Sequence, residues 1–174
     1  MEVPNHPTIT TNGVLRPTHA YIDLEKICQN MAAVQQHVGS AQVMPILKAN
    51  AYGHGMRRVA RLLENDVDAF AVARVSEGVQ LRAAGTGVRI VVLEGCSSAA
   101  EMDEALQHEL DIVVHDNSHF ALLEELDPEA NAQVWLKLDT GMGRLGFPIA
   151  DFGECWNRLR GIPAVGADIR LMTH

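Results

Sequence analysis

No run of lysine and arginine relieves the acidic balance of this 174-residue sequence, whose 14 basic and 22 acidic residues leave a net charge of −8. Such a surface repels nucleic acid, so no nucleic-acid partner is expected, and any phosphate site must be local and built by loops. Cysteine is scarce: Cys28, Cys96 and Cys155 are odd in number, far apart and in no CxxC spacing. They fit free thiols in a reducing cytosol better than a disulfide framework, and no metal site is expected. There is no apolar stretch of the length a signal peptide or membrane span requires. Pro4, Pro7, Gly13 and Pro17 stand among polar residues, so residues 1–18 read as a loose arm. A cytoplasmic protein with no membrane association is the expectation. Low-complexity segments and letter-level repeats are absent as well.

What is present is a strand-helix alternation on a chain that is 47% hydrophobic, enough for the core of about one domain. His19–Leu24 reads as a short strand, after which Asp23 can cap a helix carrying Ile27, Met31, Val34 and Val38 on one face. Further strands are expected at Val43–Leu47, Ala69–Val72, Arg89–Leu93, Asp111–Val114, Val134–Leu138 and Asp168–Met172. Helical patterns lie between them near Met56–Glu64, Arg74–Ala84, Ala99–Gln107, Asn117–Leu126 and Ala150–Leu159. Ser98 and Glu101 have capping-box spacing, Gly85 sits where a C-terminal glycine belongs, and Phe152, Cys155, Trp156 and Leu159 form an apolar stripe. Alternating βα units with continuous apolar strands imply an α/β fold with a parallel sheet and outer helices. The pattern fits an open doubly wound sheet and a (β/α)8 barrel equally well. Pro45, inside the first of these strands, removes a ladder donor and marks a bulge or an unpaired position.

The most informative block is Leu47 to Gly55, LKANAYGHG. It places Lys48 where an apolar strand meets a glycine-rich loop bearing Tyr52 and His54. A lysine there is costly without a task, and the task that suits it is a Schiff base with an aldehyde cofactor, because a desolvated lysine gives up its proton and becomes a nucleophile. A second block, KLDTGMGRLGF from Lys137 to Phe147, puts Lys137 inside the apolar run Val134–Leu138 and Arg144 in a glycine loop. Gly141-Met-Gly143-Arg-Leu-Gly146 also satisfies GxGxxG after a strand, with Asp168 downstream. A dinucleotide fingerprint needs a helix to start within the glycines, however, and Phe147-Pro148 opposes one.

Both blocks resemble the alanine racemase family, whose members depend on pyridoxal phosphate (PLP). The resemblance chooses the (β/α)8 barrel and covers all of this chain but about the first half of the family's length. It implies a barrel cut short after about six strands, with a second, mostly β domain absent from these residues; residues 19–174 then form an incomplete PLP-binding barrel domain, and the strand at His19–Leu24 joins the second domain. It further implies that Lys48 binds PLP covalently and moves a proton on one face of the substrate, and that Tyr52 donates its hydroxyl to the cofactor phosphate. By the same resemblance Arg144 reaches the cofactor's phenolic oxygen and the substrate carboxylate, Lys137 matches a lysine often carried as a carbamate, and His174 belongs to a hydrogen-bond chain behind the cofactor. Packed-core burial remains an alternative for Tyr52, and loop packing an equal alternative for His54. The family's second base is a tyrosine from a partner subunit with no counterpart here, so a homodimer is expected, and these residues alone are not expected to racemise alanine. The alternative is a catalytically inert fragment or a non-enzymatic PLP-binding barrel protein; the small one-domain barrels of that kind lack AYGHG and GMGRLG. Related broad-specificity racemases share much of the first block and typically carry a secretory signal.

Overall fold

The computed structural model describes residues 20–174 and, before them, the backbone of a small antiparallel pair, β1 (Thr10–Thr11) with β2 (Val14–Leu15). The rest of the 1–18 arm and His19 lie outside the described residues. The strand expected at His19–Leu24 does not form in the part that is described. The Asp23 carboxylate accepts from the Lys26 amide at 3.1 Å, which commits Leu24 to the first turn of α1 (Leu24–Val38).

The body of the chain is an arc of a (β/α) barrel. Six parallel strands, β3 (Ala69–Val72), β4 (Arg89–Val92), β5 (Asp111–Val114), β6 (Val134–Asp139), β7 (Phe147–Pro148) and β8 (Arg170–Met172), form one sheet. Helices α2 (Met56–Leu63), α3 (Val75–Ala83), α4 (Ala99–Gln107), α5 (Asn117–Glu124) and α6 (Phe152–Gly161) connect and flank them. β6 pairs β8 along Trp135–Lys137 and β7 beyond, at Leu138 and Asp139. The strand expected at Val43–Leu47 is reduced to a single parallel bridge between Ile46 and Ala71. Pro45 explains this: its carbonyl accepts from Ala71 at 3.0 Å, but it has no amide to donate, so the ladder cannot extend on that side.

Side chains alternate across the sheet with period 2. Ala71, Val91 and Val113 point to the barrel interior with Trp135 and Met172, while Phe70, Ile90, Ile112 and Leu136 are buried beneath the helices. Each such fully buried aliphatic or aromatic side chain contributes about 1.5–3 kcal/mol. Cys155 and Leu159 are buried on α6, with Phe152 and Trp156 packed on the same core, as the apolar stripe predicts. Lys137 lies two residues beyond Trp135 and so shares its inward direction.

The N-terminal mouth of the arc is closed by charge. Asp111, only 4% exposed, pairs with Arg89, accepts from the Trp135 indole at 2.7 Å and lies 3.9 Å from Arg170. A buried carboxylate stripped of such partners costs several kcal/mol, so this cluster is a structural plug. The opposite end stays open.

Candidate active site

Lys48 opens a turn of unusual hand. Ala49, Asn50, Ala51 and Tyr52 have φ of 53°, 56°, 52° and 52°, four consecutive residues in the left-handed region. For residues with a Cβ this costs roughly 1–2 kcal/mol each. The turn is closed by the Ala51 amide on the Leu47 carbonyl at 2.7 Å and by the Gly55 amide on the Asn50 carbonyl at 2.9 Å. The Asn50 side chain accepts from the Met56 amide at 2.9 Å and so starts α2. Gly53 and Gly55, at φ 86° and 93°, make the exit from the turn. His54 Nδ1 lies 2.9 Å from the Ala51 carbonyl, which is the loop-packing role among the two open to it.

Lys48, Tyr52, Lys137, Arg144 and His174 all line one cavity of about 840 Å³ at the C-terminal ends of the strands. Catalytic groups of barrels are found at this end. Tyr52 is 63% exposed, which removes the packed-core alternative. The sequence reads Lys48 as desolvated and Lys137 as interior to an apolar run; the structure finds Lys48 half-buried and Lys137 only 4% exposed. Burial lowers the Lys137 pKa first, and the neighbouring charges of Arg144 and Lys48 lower it further, against a smaller opposing pull from Asp139. Among the described residues no ion pair engages Lys48, Lys137 or Arg144. Three cations facing one cavity on an acidic chain favour an anionic ligand.

The loop carrying Arg144 is organised by Asp139. One carboxylate oxygen accepts from the Gly141 amide and the other from the Gly143 amide, each at 2.8 Å, and these bonds hold the carboxyl below the usual aspartate range. Gly146 has φ 121°, and a Cβ there would lie 2.7 Å from the Asp139 nitrogen. No helix starts within the glycines: Phe147–Pro148 pairs with β6 as β7, and α6 begins only at Phe152. A dinucleotide phosphate is excluded, because an internal carboxylate already occupies two of these amides.

The Asp139 bonds are fully present above the ordinary aspartate value of about 3.9 and are lost as pH falls through the lowered folded-state value. Asn at this position has one acceptor oxygen for two amides. Asp139→Asn in the full-length protein is therefore expected to loosen the Arg144 loop and raise KM for an amino-acid carboxylate about tenfold. An unchanged KM in steady-state kinetics would remove Asp139 from this role.

Several cavity residues escaped sequence reasoning, among them Glu94, His115 and Trp135. Glu94 and His115 lie immediately beyond predicted strands, and that placement was the available signal. His115 is backed by His119, whose Nδ1 accepts from the His115 amide at 3.2 Å with the rings 4.4 Å apart, edge to face. Burial, and then the His115 charge, push the His119 pKa down to about 4, so its ring is neutral near pH 7.

Residues 22–174 match the family described as alanine racemase, N-terminal domain. The chain is 42% identical over 161 residues to an alanine racemase of Aromatoleum aromaticum, covering 92% of this chain and 45% of that protein. It is 39% identical over 155 residues to one from Shewanella baltica, covering 89% of this chain and 43% of the relative. The biosynthetic alanine racemase of Pseudomonas aeruginosa superimposes with a TM-score of 0.80 at 39% identity, over 88% of this chain and 42% of that one. The alanine racemase of E. faecalis gives a TM-score of 0.80 at 28% identity, over 88% and 42%. The chain thus spans less than half the length of these relatives.

Proposed function

The chain belongs to the alanine racemase family, and on that premise we propose that it is the cofactor-binding portion of a PLP-dependent enzyme interconverting L- and D-alanine. The observation that carries this reading is the meeting of the Lys48 amine, the Tyr52 phenol and the Arg144 guanidinium at one cavity, with the buried Lys137 among them. The donor set fits PLP: an amine for its aldehyde, a phenol for its phosphate, and a guanidinium for its phenolic oxygen.

When bound, PLP supplies an electron sink for the charge that develops at Cα. Lys48 then holds and moves the proton at Cα on one face. Arg144 orients the substrate carboxylate by charge-assisted hydrogen bonds. Tyr52 would donate to the phosphate, and His174, which lines the same cavity, would join the hydrogen bonds that support the cofactor. Inversion needs a second acid/base on the opposite face. We assign that group to a partner subunit of a homodimer, outside the residues described. The product would be D-alanine for cell-wall peptidoglycan, made in the cytoplasm; no helix among the described residues is long and apolar enough to cross a membrane.

The test is D-alanine formation from L-alanine in D2O by the full-length protein, with deuterium entering at Cα. No racemisation by PLP-loaded protein would defeat the proposal.

Lys137 carries a further expectation. Its lowered pKa makes the neutral amine available at a lower pH than an exposed lysine allows. That amine can attack carbon dioxide, forming an N–C bond and releasing a proton, to give a carbamate anion. The charge reversal would place an acceptor beside Arg144. With 13C-labelled bicarbonate, the full-length protein should show a carbamate carbon signal that Lys137→Ala lacks. Equal signals in the two proteins would overturn the assignment.

A further inference from the structure

Four left-handed residues in succession need a hold from outside the turn, and the structure shows where it comes from. The bridge at Ile46 and Ala71 is a parallel ladder that stops. The Ala71 amide donates to the Pro45 carbonyl at 3.0 Å, and the Leu47 amide to the Ala71 carbonyl at 2.7 Å. A further rung would send the Ala73 amide to the Leu47 carbonyl and the Ala49 amide to the Ala73 carbonyl. Neither bond forms, because the Leu47 carbonyl is taken by Ala51 and the Ala73 carbonyl by Glu94. Both orphaned amides turn to one carboxylate. Glu77 Oε1 accepts from the Ala49 amide at 2.7 Å, and Glu77 Oε2 accepts from the Ala73 amide at 2.9 Å and the Arg74 amide at 3.2 Å.

The Oε2 bonds are ordinary N-terminal capping, since Glu77 is the third residue of α3. The Oε1 bond is different. It leaves α3 and fixes the residue directly after Lys48, on the first of the left-handed positions. We propose that Glu77 is a positioning residue for Lys48: its carboxylate replaces the missing rung, holds the left-handed turn, and so aims the Lys48 amine into the cavity. The inference rests on reading Lys48 as the cofactor lysine.

Glutamine offers one acceptor oxygen where glutamate offers two. In Glu77→Gln that oxygen is expected to stay on the two α3-side amides, turning the NH2 group onto Ala49. The full-length holoenzyme should then show faster hydrogen exchange at the Ala49 amide with Ala73 and Arg74 still protected, and its unfolding midpoint should stay close to the parent's. PLP dissociation, read from cofactor absorbance, should become about tenfold or more easier, as loss of a charge-assisted hydrogen bond implies. Adding Ala49→Gly, which removes the cost of a left-handed alanine, should recover roughly five- to thirty-fold of that affinity. The gain from Ala49→Gly should be larger in the Glu77→Gln background than in the parent, whereas a purely capping role predicts equal gains in both.

PLP affinity and Ala49 exchange equal to the parent's would overturn the proposal, as would affinity lost without rescue by Ala49→Gly. If Glu77→Gln does not fold, Glu77→Asp carries the same comparison, because the shorter side chain keeps the near amides and loses its reach to Ala49. Borohydride labelling of the parent keeps the two claims apart. Label away from Lys48 removes the reading of Lys48, while label on Lys48 with unaltered Glu77 variants removes only this inference.

Discussion

Lys48→Ala in the full-length protein is expected to abolish covalent capture of PLP and to lower alanine racemisation at least about ten-thousandfold, the upper range of what one general acid–base contributes. Two losses coincide. The amine that would bind the aldehyde is gone, and so is the group that would move the Cα proton on its face. The change should leave the fold intact, because Lys48 is half-buried, is engaged by no ion pair among the described residues, and holds its turn through backbone bonds on either side of it. Borohydride reduction followed by peptide mapping should find label on Lys48 in the parent and none in the variant. Label on Lys137 in the parent would reverse the assignment of the two cavity lysines.

That reversal is a real test, because Lys137 is the more buried of the two lysines, and burial with its cationic neighbours lowers its pKa. Geometry argues against it. Lys137 projects inward from the middle of β6, paired with Met172 of β8, with Arg144 and Lys48 both acting on its charge. Lys48 stands at the rim of the cavity, on a turn stiffened at both ends. A rim lysine can reach a ligand and withdraw again. A lysine in the floor is better placed to set the charge of the groups above it.

Much of this was legible in the sequence because it depends on local pattern. Continuous apolar runs located five of the six expected barrel strands, the Asp23 cap located α1, and the two blocks named four of the five residues that meet at the cavity, with His174 supplied by the family resemblance. The failures are tertiary. Val43–Leu47 carries a strand's side chains, but its pairing depends on which backbone groups a neighbour needs, and Pro45 withholds one. β7 is two residues long and includes a proline, below any periodic signal. The left-handed turn uses two alanines and a tyrosine beside one asparagine, and a single residue that tolerates positive φ does not announce four in succession. Glu77 caps α3 with one oxygen, and the bond its other oxygen makes to Ala49, 28 residues away, has no sequence signature. Asp139 shows the same limit, since its two glycine amides become visible only once the loop is folded.

Arg144→Ala should lower kcat/KM for alanine by about a hundredfold, the order expected when a charged pair to a bound carboxylate is lost. The two enantiomers have equal free energy, so the loss must be the same for L- and D-alanine. A second effect separates charge from shape. Arg144 helps to lower the Lys137 pKa, so removing it should raise that pKa and reduce the fraction of neutral amine at a given pH. Arg144→Lys keeps a positive charge and should leave Lys137 depressed, yet an ammonium cannot reproduce the planar fork, so carboxylate recognition should still be impaired. The expected pattern is therefore split: both variants lose kcat/KM, but only Arg144→Ala moves the pH at which Lys137 takes up labelled carbon dioxide. Kinetics indistinguishable from the parent in both variants would remove Arg144 from the site. A pH shift shared by both would show that Arg144 acts on Lys137 through the shape of its loop rather than through its charge.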